Sequence, residues 1–301
     1  MIYVGPETQD FLSSIEEREK PGTPGILQIL RAALAMQVRD RVGLDRIREL
    51  EDTYLREAME RLQRNPRIEI LGNPDPARRI GIVSFNIREG DRHLHPRFVT
   101  RLLCDLFGIQ TRAGCSCAGP YGHRLLGIGQ PESERYRAAI HQGCSAVKPG
   151  WVRFNVHYTM TGEELEYLLA CIEFVARHGS RFLALYECAL ETGAWSPRGW
   201  SDPAVPFGLD EALAYRGVGS GERSAAGRSA PSGALGEGDA FAFSPMGREA
   251  VLDDEARRAL RRQALEEART LAAKLADSPL WVRLPAELEA LSFFHCAHVR
   301  R

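Results

Sequence analysis

Lysine is scarce in this chain of 301 residues. Only Lys20, Lys148 and Lys274 occur, although Lys and Arg together number 39, so arginine supplies most of the positive charge. Chemistry that requires a lysine amine therefore has three candidates. The basic residues are balanced by 40 Asp and Glu, which leaves a formal net charge of -1. Without a basic excess, binding to nucleic acid or to an anionic membrane surface is not expected.

Long hydrophobic runs are absent as well. No stretch reaches the roughly 20 consecutive apolar residues that a membrane-spanning helix requires. The first residues, Met1 to Val4, lead into polar sequence without the basic segment that opens a secretory signal. We therefore expect a cytoplasmic chain without a membrane span. The seven cysteines form an odd set without regular spacing, which favours reduced thiols over a disulfide framework.

Hydrophobic periodicity predicts an α+β (α/β) fold in which a small sheet is covered by helices. One helix is predicted from Pro24 to a stop at Gly43, and another follows directly, from Leu44 to Leu62. Further helices are predicted at about 96–107, 161–178 and 253–276, and one begins near Pro120. Short strands are predicted at 68–70, 80–87, 109–111 and 151–158.

Composition divides the chain into four parts. Residues 1–180 carry the predicted sheet and helices, and residues 181–216 form an extension. Residues 217–240 consist mostly of Gly, Ser, Ala and Pro, which offer too little apolar surface to offset chain entropy, so a flexible linker is predicted. Residues 241–301 contain an amphipathic helical segment, whose apolar face has to dock on another part of the protein.

The segment from Thr111 to His123 is the most distinctive motif, because small residues surround the two thiols of Cys115 and Cys117. Its glycines allow tight turns and close approach to a ligand. Arg112 and a helix start near Pro120 favour the thiolate, which is the nucleophilic form of cysteine. Cysteines in a glycine-rich loop can also have no chemical role, and the residues by themselves leave both interpretations open.

This segment resembles the sulfur-accepting loop of the class V aminotransferases. These are fold type I pyridoxal-phosphate (PLP) enzymes that include the cysteine desulfurases and molybdenum cofactor sulfurases. The family pattern Arg-x-Gly-x-x-Cys-Ala is matched by Arg112, Gly114, Cys117 and Ala118. The resemblance implies that Cys117 is the catalytic nucleophile and that Arg112 takes part in substrate binding.

A second match lies upstream, where Gly22-Thr23-Pro24 resembles the family segment that reaches across a dimer interface to the cofactor phosphate. The resemblance implies that Gly22 and Thr23 are cofactor-binding residues of a homodimer. Backbone amides, a hydroxyl and a helix start all suit a phosphate. Taken without the resemblance, the same residues form an ordinary helix entry, with Thr23 as the N-cap and Pro24 as the first helical residue.

A third match is Arg153, which resembles the family arginine that clamps the substrate carboxylate through two parallel hydrogen bonds. Strand alternation predicts that Arg153, Asn155 and His157 share one face, while Phe154 and Val156 lie on the other. An isolated arginine in such a strand could equally be an exposed edge charge.

The resemblance covers about residues 1–178 and corresponds to the carboxyl-terminal portion of a family member. The Schiff-base lysine of the family stands in a His-Lys context, and none of the three lysines does. We therefore expect no covalent PLP on this chain alone. Three explanations remain open: a truncated gene, a mis-called start, or one half of a split pair. In the last case PLP would be bound through a lysine-bearing partner chain.

The reaction implied by the resemblance is removal of sulfur from an L-cysteine-like substrate through a persulfide on Cys117. A PLP-dependent aminotransferase or lyase without this sulfur chemistry is one alternative, and a non-catalytic dimer partner is another. A zinc site is a third, with ligands drawn from the set Cys115, Cys117, His123, His141 and Cys144, although its Cys-x-Cys spacing is tighter than usual. No metal site is predicted in preference to the thiol chemistry, and His123 is a weaker candidate proton donor.

Overall fold

The computed structural model describes residues 2–20, 22–114, 118–200, 253–277 and 281–300. Cys115, Cys117 and the predicted linker at 217–240 lie outside these ranges. Within them the protein combines helices with small sheets, which confirms the predicted α+β class. Among the described helices, none has the length and apolar character needed to cross a membrane.

The first 63 residues contain two long helices behind a short hairpin. The hairpin pairs β1 (Tyr3–Val4) with β2 (Gln9–Asp10) and is followed by the single turn α1 (Ile15–Arg18). Helices α2 (Ile26–Val42) and α3 (Leu44–Gln63) meet at Gly43, whose φ of 88° suits a residue without a side chain. None of the residues of α2 is buried, whereas α3 contributes Leu55 and its neighbours to the core.

The central sheet is antiparallel and has the order β3-β4-β7-β6, with β5 on β4. The strands are β3 (Ile68–Ile70), β4 (Ile82–Glu89), β5 (Arg92–His93), β6 (Arg112–Gly114) and β7 (Trp151–Asn155). The strand predicted at 109–111 was therefore misplaced by three residues. Residues 112–114 form the strand because they pair with β7. The apolar character of the segment gives no information about this pairing.

Four further helices surround this sheet. They are α4 (Pro96–Phe107), α5 (Gly119–Leu126), α6 (Gln130–His141) and α7 (Gly162–Phe182). Helix α7 begins with a capping box, in which Thr161 and Glu164 satisfy each other's backbone amides. Helices α3, α4 and α7 enclose a core with the apolar face of the sheet.

The carboxyl-terminal residues join the same core. Strands β8 (Tyr186–Ala189) and β9 (Ala194–Pro197) form a hairpin, and β10 (Val299–Arg300) pairs with β8 in parallel. Helix α8 (Asp254–Lys274) docks on α4 and α7, and a short helix, α9 (Ala286–Glu289), follows it. Apolar side chains of this region belong to the continuous core cluster.

Candidate functional site

The two faces of β7 differ in character, as the alternation of its residues predicts. Val152 and Phe154 are buried on the face that meets the core. Arg153 is half-buried and Asn155 exposed on the other face, and Trp151 lies on that same face with 3% of its surface exposed. This second face of the central sheet is called the polar face below.

Two arginines lie side by side on the polar face. Arg112 of β6 is directly opposite Arg153 of β7 in the register, and Ser84 of β4 is opposite Arg153 on its other side. Directly opposed residues place their Cβ atoms about 4.5–5.5 Å apart and on the same face. Within the described residues, neither guanidinium has an ion-pair or hydrogen-bond partner. Two opposed positive charges favour an anion between them, because they otherwise repel each other.

Helix α5 approaches the polar face. A Cβ added to Gly122 would lie 3.2 Å from the Trp151 ring, so α5 rests directly on this indole. At the opposite edge of the sheet, a Cβ on Gly72 would lie 3.8 Å from the Tyr121 hydroxyl. The start of α5 is thereby held on the same side of the sheet as Arg153.

Two buried polar atoms of the polar face have no hydrogen-bond partner among the described residues. They are the indole Nε1 of Trp151 and the amide Oδ1 of Asn86. Buried polar groups are normally paired, since an unpaired one costs about 1–3 kcal/mol.

The predicted nucleophile Cys117 lies outside the described residues, in the three-residue link between Gly114 and Ala118. Gly114 ends β6, two residues after Arg112, and has a φ of 119° that favours glycine. Ala118 precedes the first turn of α5. The described ends of the link are both on the polar face side, next to Arg112 and Trp151.

Gly22 and Thr23 are exposed before the start of α2, and the main packing partner of that helix is α3. The structure does not bring them onto the polar face with the arginine pair. The alternative interpretation, with Thr23 as the N-cap of the helix, was wrong. Helix α2 begins at Ile26 with Gly25 as its N-cap and without a side-chain cap. Two glycines around Thr23 allow the chain to turn before the helix can start.

His123 is engaged at both ring nitrogens. Nδ1 lies 3.1 Å from the Gly119 carbonyl oxygen, and Nε2 lies 3.1 Å from the Ser133 hydroxyl. The imidazole therefore ties α5 to α6. Across the described ranges, no group of His, Cys, Asp or Glu is arranged to hold a metal ion, although two ligands of the zinc alternative, Cys115 and Cys117, fall outside them. His157 follows the end of β7 and contacts the Thr159 hydroxyl at 2.8 Å.

The lysines of the chain do not fit a covalent PLP site. Lys20, Lys148 and Lys274 are all exposed, and they lie on the amino-terminal arm, before β7 and at the end of α8. A Schiff-base lysine requires a shielded pocket in which the cofactor ring is oriented. The residues present fit an anionic substrate group at the arginine pair, but they do not fit the covalent anchor of the cofactor.

Sequence reasoning missed Ser84, Asn86 and the structural place of Trp151. Ser84 and Asn86 alternate with the buried Val83, Phe85 and Ile87. The alternation along β4 could therefore have shown that both lie on the face opposite the core. Only the register of β4 with β7 shows that Ser84 adjoins Arg153.

Comparison with known proteins shows the family of this chain. The family model described as Aminotransferase class-V matches residues 7–168, which is more than half of the chain. Cysteine desulfurase from Serratia proteamaculans is 31% identical over 103 residues, which cover 34% of this chain and 23% of that protein. Cysteine desulfurase from Salmonella agona is 33% identical over a match of the same extent. The match thus covers less than a quarter of the length of these relatives.

Among solved structures, the apo structure of a cysteine desulfurase from Thermococcus onnurineus is similar, with 27% sequence identity and a TM-score of 0.42. That match covers 57% of this chain and 38% of the other. The matched region of the family model contains the thiol segment, both arginines and the helices that position them. The chain belongs to the class V aminotransferase family.

Proposed function

We propose that this chain is the carboxyl-terminal part of a PLP-dependent enzyme of the cysteine desulfurase type, which removes sulfur from L-cysteine. The observation that carries the proposal is that Arg112 and Arg153 lie opposite each other, without ion-pair partners among the described residues, beside the strand end that leads to Cys117. Desulfurase relatives at 31–33% identity support the same assignment.

In this proposal Arg153 binds the substrate carboxylate through its planar fork, and Arg112 adds a second positive charge at the same place. The positive field also favours the thiolate of Cys117. The thiolate sulfur attacks the sulfur of the substrate cysteine, so that a sulfur–sulfur bond forms and the carbon–sulfur bond breaks. The electron pair stays with the substrate carbon, which takes up a proton and leaves as alanine, while Cys117 keeps the sulfur as a persulfide.

PLP supplies the electron sink for this class of reaction when it is bound. Because all three lysines of the chain are exposed, we propose that a lysine-bearing polypeptide holds the cofactor and that Gly22 and Thr23 reach its phosphate. The chain alone is then expected to form no lysine-dependent absorbance band when it is mixed with PLP. A band that disappears when one of its lysines is replaced would contradict this part of the proposal.

Replacement of the proposed nucleophile tests the reaction. The chain is combined with a lysine-bearing class V polypeptide and PLP, and alanine and sulfide are measured with L-cysteine as substrate. We expect Cys117→Ser to reduce turnover by at least 100-fold, because serine cannot carry the persulfide. Cys115→Ser, two residues away, is the matched control and should keep turnover within about threefold. Equal turnover of wild type and Cys117→Ser would remove the desulfurase assignment in favour of an aminotransferase or lyase.

The surface of α2 supports a role for a partner. Of the large exposed apolar side chains in the described residues, most lie between Ile2 and Leu44, including Leu30 and Leu34 of α2. Apolar residues occupy nearly every position of the first three turns, which is typical of a helix enclosed by other protein. We propose that the lysine-bearing polypeptide covers this helix; a second copy of this chain is the competing occupant.

Charge placed on α2 tests the partner. We expect the double variant Leu30→Glu and Leu34→Glu to lose binding to the lysine-bearing polypeptide in analytical ultracentrifugation while keeping the wild-type midpoint of urea unfolding, since both side chains are exposed. Leu260→Glu on α8 alters an equally exposed leucine and serves as the control. Unchanged binding by the double variant would exclude α2 from the interface.

A further inference from the structure

A cleft of about 670 Å³ opens in the carboxyl-terminal part of the protein, between the segment 282–285 and the sheet of β8 and β10. Its size lies within the range of about 300–1,000 Å³ that is typical of small-molecule sites. All of the residues that line it come after residue 168, where the family match ends. The cleft is therefore separate in sequence from the thiol segment and from the arginine pair.

The inner wall of the cleft is apolar and fixed in place. Leu190, Leu284 and Ala297 line it, and all three are buried members of the continuous core cluster. The segment that carries Leu284 is held against the core by a hydrogen bond from the Val282 backbone N–H to the Cys296 carbonyl oxygen at 2.9 Å. An apolar wall of this kind can receive the hydrocarbon part of a ligand.

The rim of the cleft carries an excess of basic groups, with Arg198, Arg283 and His298 among its lining residues. Glu187 is the one carboxylate among the described lining residues, and it pairs with Arg300 at 3.4 Å. Within the described part of the chain, neither Arg198 nor Arg283 forms an ion pair. An anion in the cleft would complement this charge.

The surroundings of His298 show that the Arg198 guanidinium needs a further acceptor. Nε2 of His298 lies 3.1 Å from the Ala184 carbonyl oxygen and 3.3 Å from Nη1 of Arg198. A carbonyl oxygen can only accept, so Nε2 carries the hydrogen in the first contact and cannot accept one in the second. A carboxylate bound at this point would give the planar fork of Arg198 the acceptors that the described residues do not supply.

We propose that the cleft binds a small aliphatic carboxylate, whose carboxylate group is bound by Arg198 and whose hydrocarbon chain lies against the apolar wall. Arg283 adds a second positive charge at the rim. The apolar wall favours this class of ligand over an inorganic anion, and the two arginines favour it over a neutral or cationic chain. The site does not depend on the proposed desulfurase function, since it shares no residue with it.

Binding of hexanoate to the full chain, followed by ligand-observed NMR titration, tests the proposal. The measurements are made in the double variant Arg112→Gln and Arg153→Gln, because that pair is itself proposed to bind a carboxylate. We expect hexanoate to bind at least fourfold more tightly than butanoate, since two more methylene groups are removed from water. It should bind at least tenfold more tightly than inorganic phosphate or hexylammonium. Absence of hexanoate binding, or equal binding of phosphate or hexylammonium, overturns the proposal.

Replacement of the arginine at the rim tests its role in the same background. We expect Arg198→Gln to weaken hexanoate binding by at least tenfold, because it removes the charged fork. Arg198 is exposed, so the replacement should keep the parent midpoint of urea unfolding. Arg262→Gln, at an exposed position of α8, is the matched control and should leave the affinity unchanged. Unchanged affinity in Arg198→Gln, or an equal loss in Arg262→Gln, overturns the proposal.

Chemical protection locates the ligand without any substitution. The wild-type chain is treated with phenylglyoxal, which modifies accessible guanidinium groups, and the modified arginines are measured by peptide mass spectrometry. Saturating hexanoate should slow the modification of Arg198 at least threefold and leave the rate at Arg262 unchanged. Protection of Arg153 without protection of Arg198 would place the carboxylate on the polar face and overturn the proposal. The desulfurase proposal fails by a different result, which is unchanged turnover of Cys117→Ser.

Discussion

At the scale of single residues, His95 shows how burial controls a titratable group. Its Nδ1 accepts the Arg97 backbone N–H at 3.1 Å and so caps α4, while Nε2 lies 3.0 Å from the Ala146 carbonyl oxygen, to which it donates. Rings of Phe293, Phe294 and Trp195 surround it. Desolvation by burial lowers the pKa of His95 to about 3, and this outweighs the hydrogen bond to Ala146, which favours the charged form.

This low pKa makes the stability of the protein depend on pH. The unfolded histidine has a pKa near 6.5, so between about pH 6.5 and 3 the unfolded state binds a proton that the folded state excludes. The stabilisation is complete above pH 6.5 and is lost as the pH falls, by up to about 1.4 kcal/mol per pH unit. We expect His95→Asn, which retains a capping side chain, to make the unfolding free energy depend less on pH. Between pH 6.5 and 5, its slope should fall by up to about 1.4 kcal/mol per pH unit.

Urea unfolding at a series of pH values between 5 and 7.5 measures the effect. His141→Asn, at an exposed position at the end of α6, is the control and should keep the wild-type slope. If His95→Asn and wild type decline in parallel, the pKa of His95 is not lowered in the folded protein.

At the scale of secondary-structure elements, an arginine joins α3 to α7. Arg61 donates to both carboxylate oxygens of Glu173, from Nε at 2.9 Å and from Nη2 at 2.7 Å, and its Nη1 contacts Glu166. The hydrogen bonds to Glu173 raise the pKa of Arg61 against the effect of partial burial. A bidentate pair at a partly buried position holds two helices at a defined separation.

We expect Arg61→Gln to lower the free energy of unfolding by about 1–2 kcal/mol, since it removes the bidentate pair and leaves Glu173 without its partner. Arg56→Gln is the control on the same helix, where the side chain is exposed, and its effect should stay below about 0.5 kcal/mol. Arg61→Lys should recover less than half of the loss, because an ammonium group cannot form both parallel bonds. Chemical denaturation measures all three, and equal effects of Arg61→Gln and Arg56→Gln would show that the pair contributes nothing.

The strand bounds show a limit of sequence reasoning at the same scale. Helix α4 was predicted at its observed bounds, because His95 and Pro96 start it and Gly108 ends it by local rules. Helix α6 was missed, since only Tyr136 and Ala139 of its twelve residues are buried and its apolar periodicity is weak. Strand β6 was misplaced because a three-residue strand is defined by its partner rather than by its own composition.

At the scale of the whole molecule, the carboxyl-terminal segment is part of the main core. The Phe294 side chain is 1% exposed and packs against His95, and the Phe293 carbonyl oxygen accepts a hydrogen bond from the His93 backbone at 2.8 Å. Helix α8 is held on α7 by ion pairs from Arg258 to Glu163 and from Arg261 to Glu164. The family match ends at residue 168, so these contacts extend the core beyond the matched region.

Truncation of Phe294 tests this integration. We expect Phe294→Ala to cost about 3–5 kcal/mol, as for other buried phenylalanines, and to shift a single cooperative unfolding transition of the whole protein. Trp281→Ala, which removes a ring that is 38% exposed and stacked on His295, should cost less than about 1 kcal/mol. Calorimetry distinguishes the outcomes, because a separate low-temperature transition in Phe294→Ala would show that the segment folds independently of the core.

The sequence by itself determined the helices with local start and stop signals, the α+β class and the motif order that indicates the family. Those features depend on interactions between residues a few positions apart, so they are readable along the chain. The tertiary structure alone decided that Arg112 opposes Arg153, that α5 packs on the Trp151 ring through Gly122, and that α2 leaves its apolar surface uncovered. Each depends on strand register or on packing between distant residues, and a shift of one residue in register would have placed either arginine on the other face of the sheet.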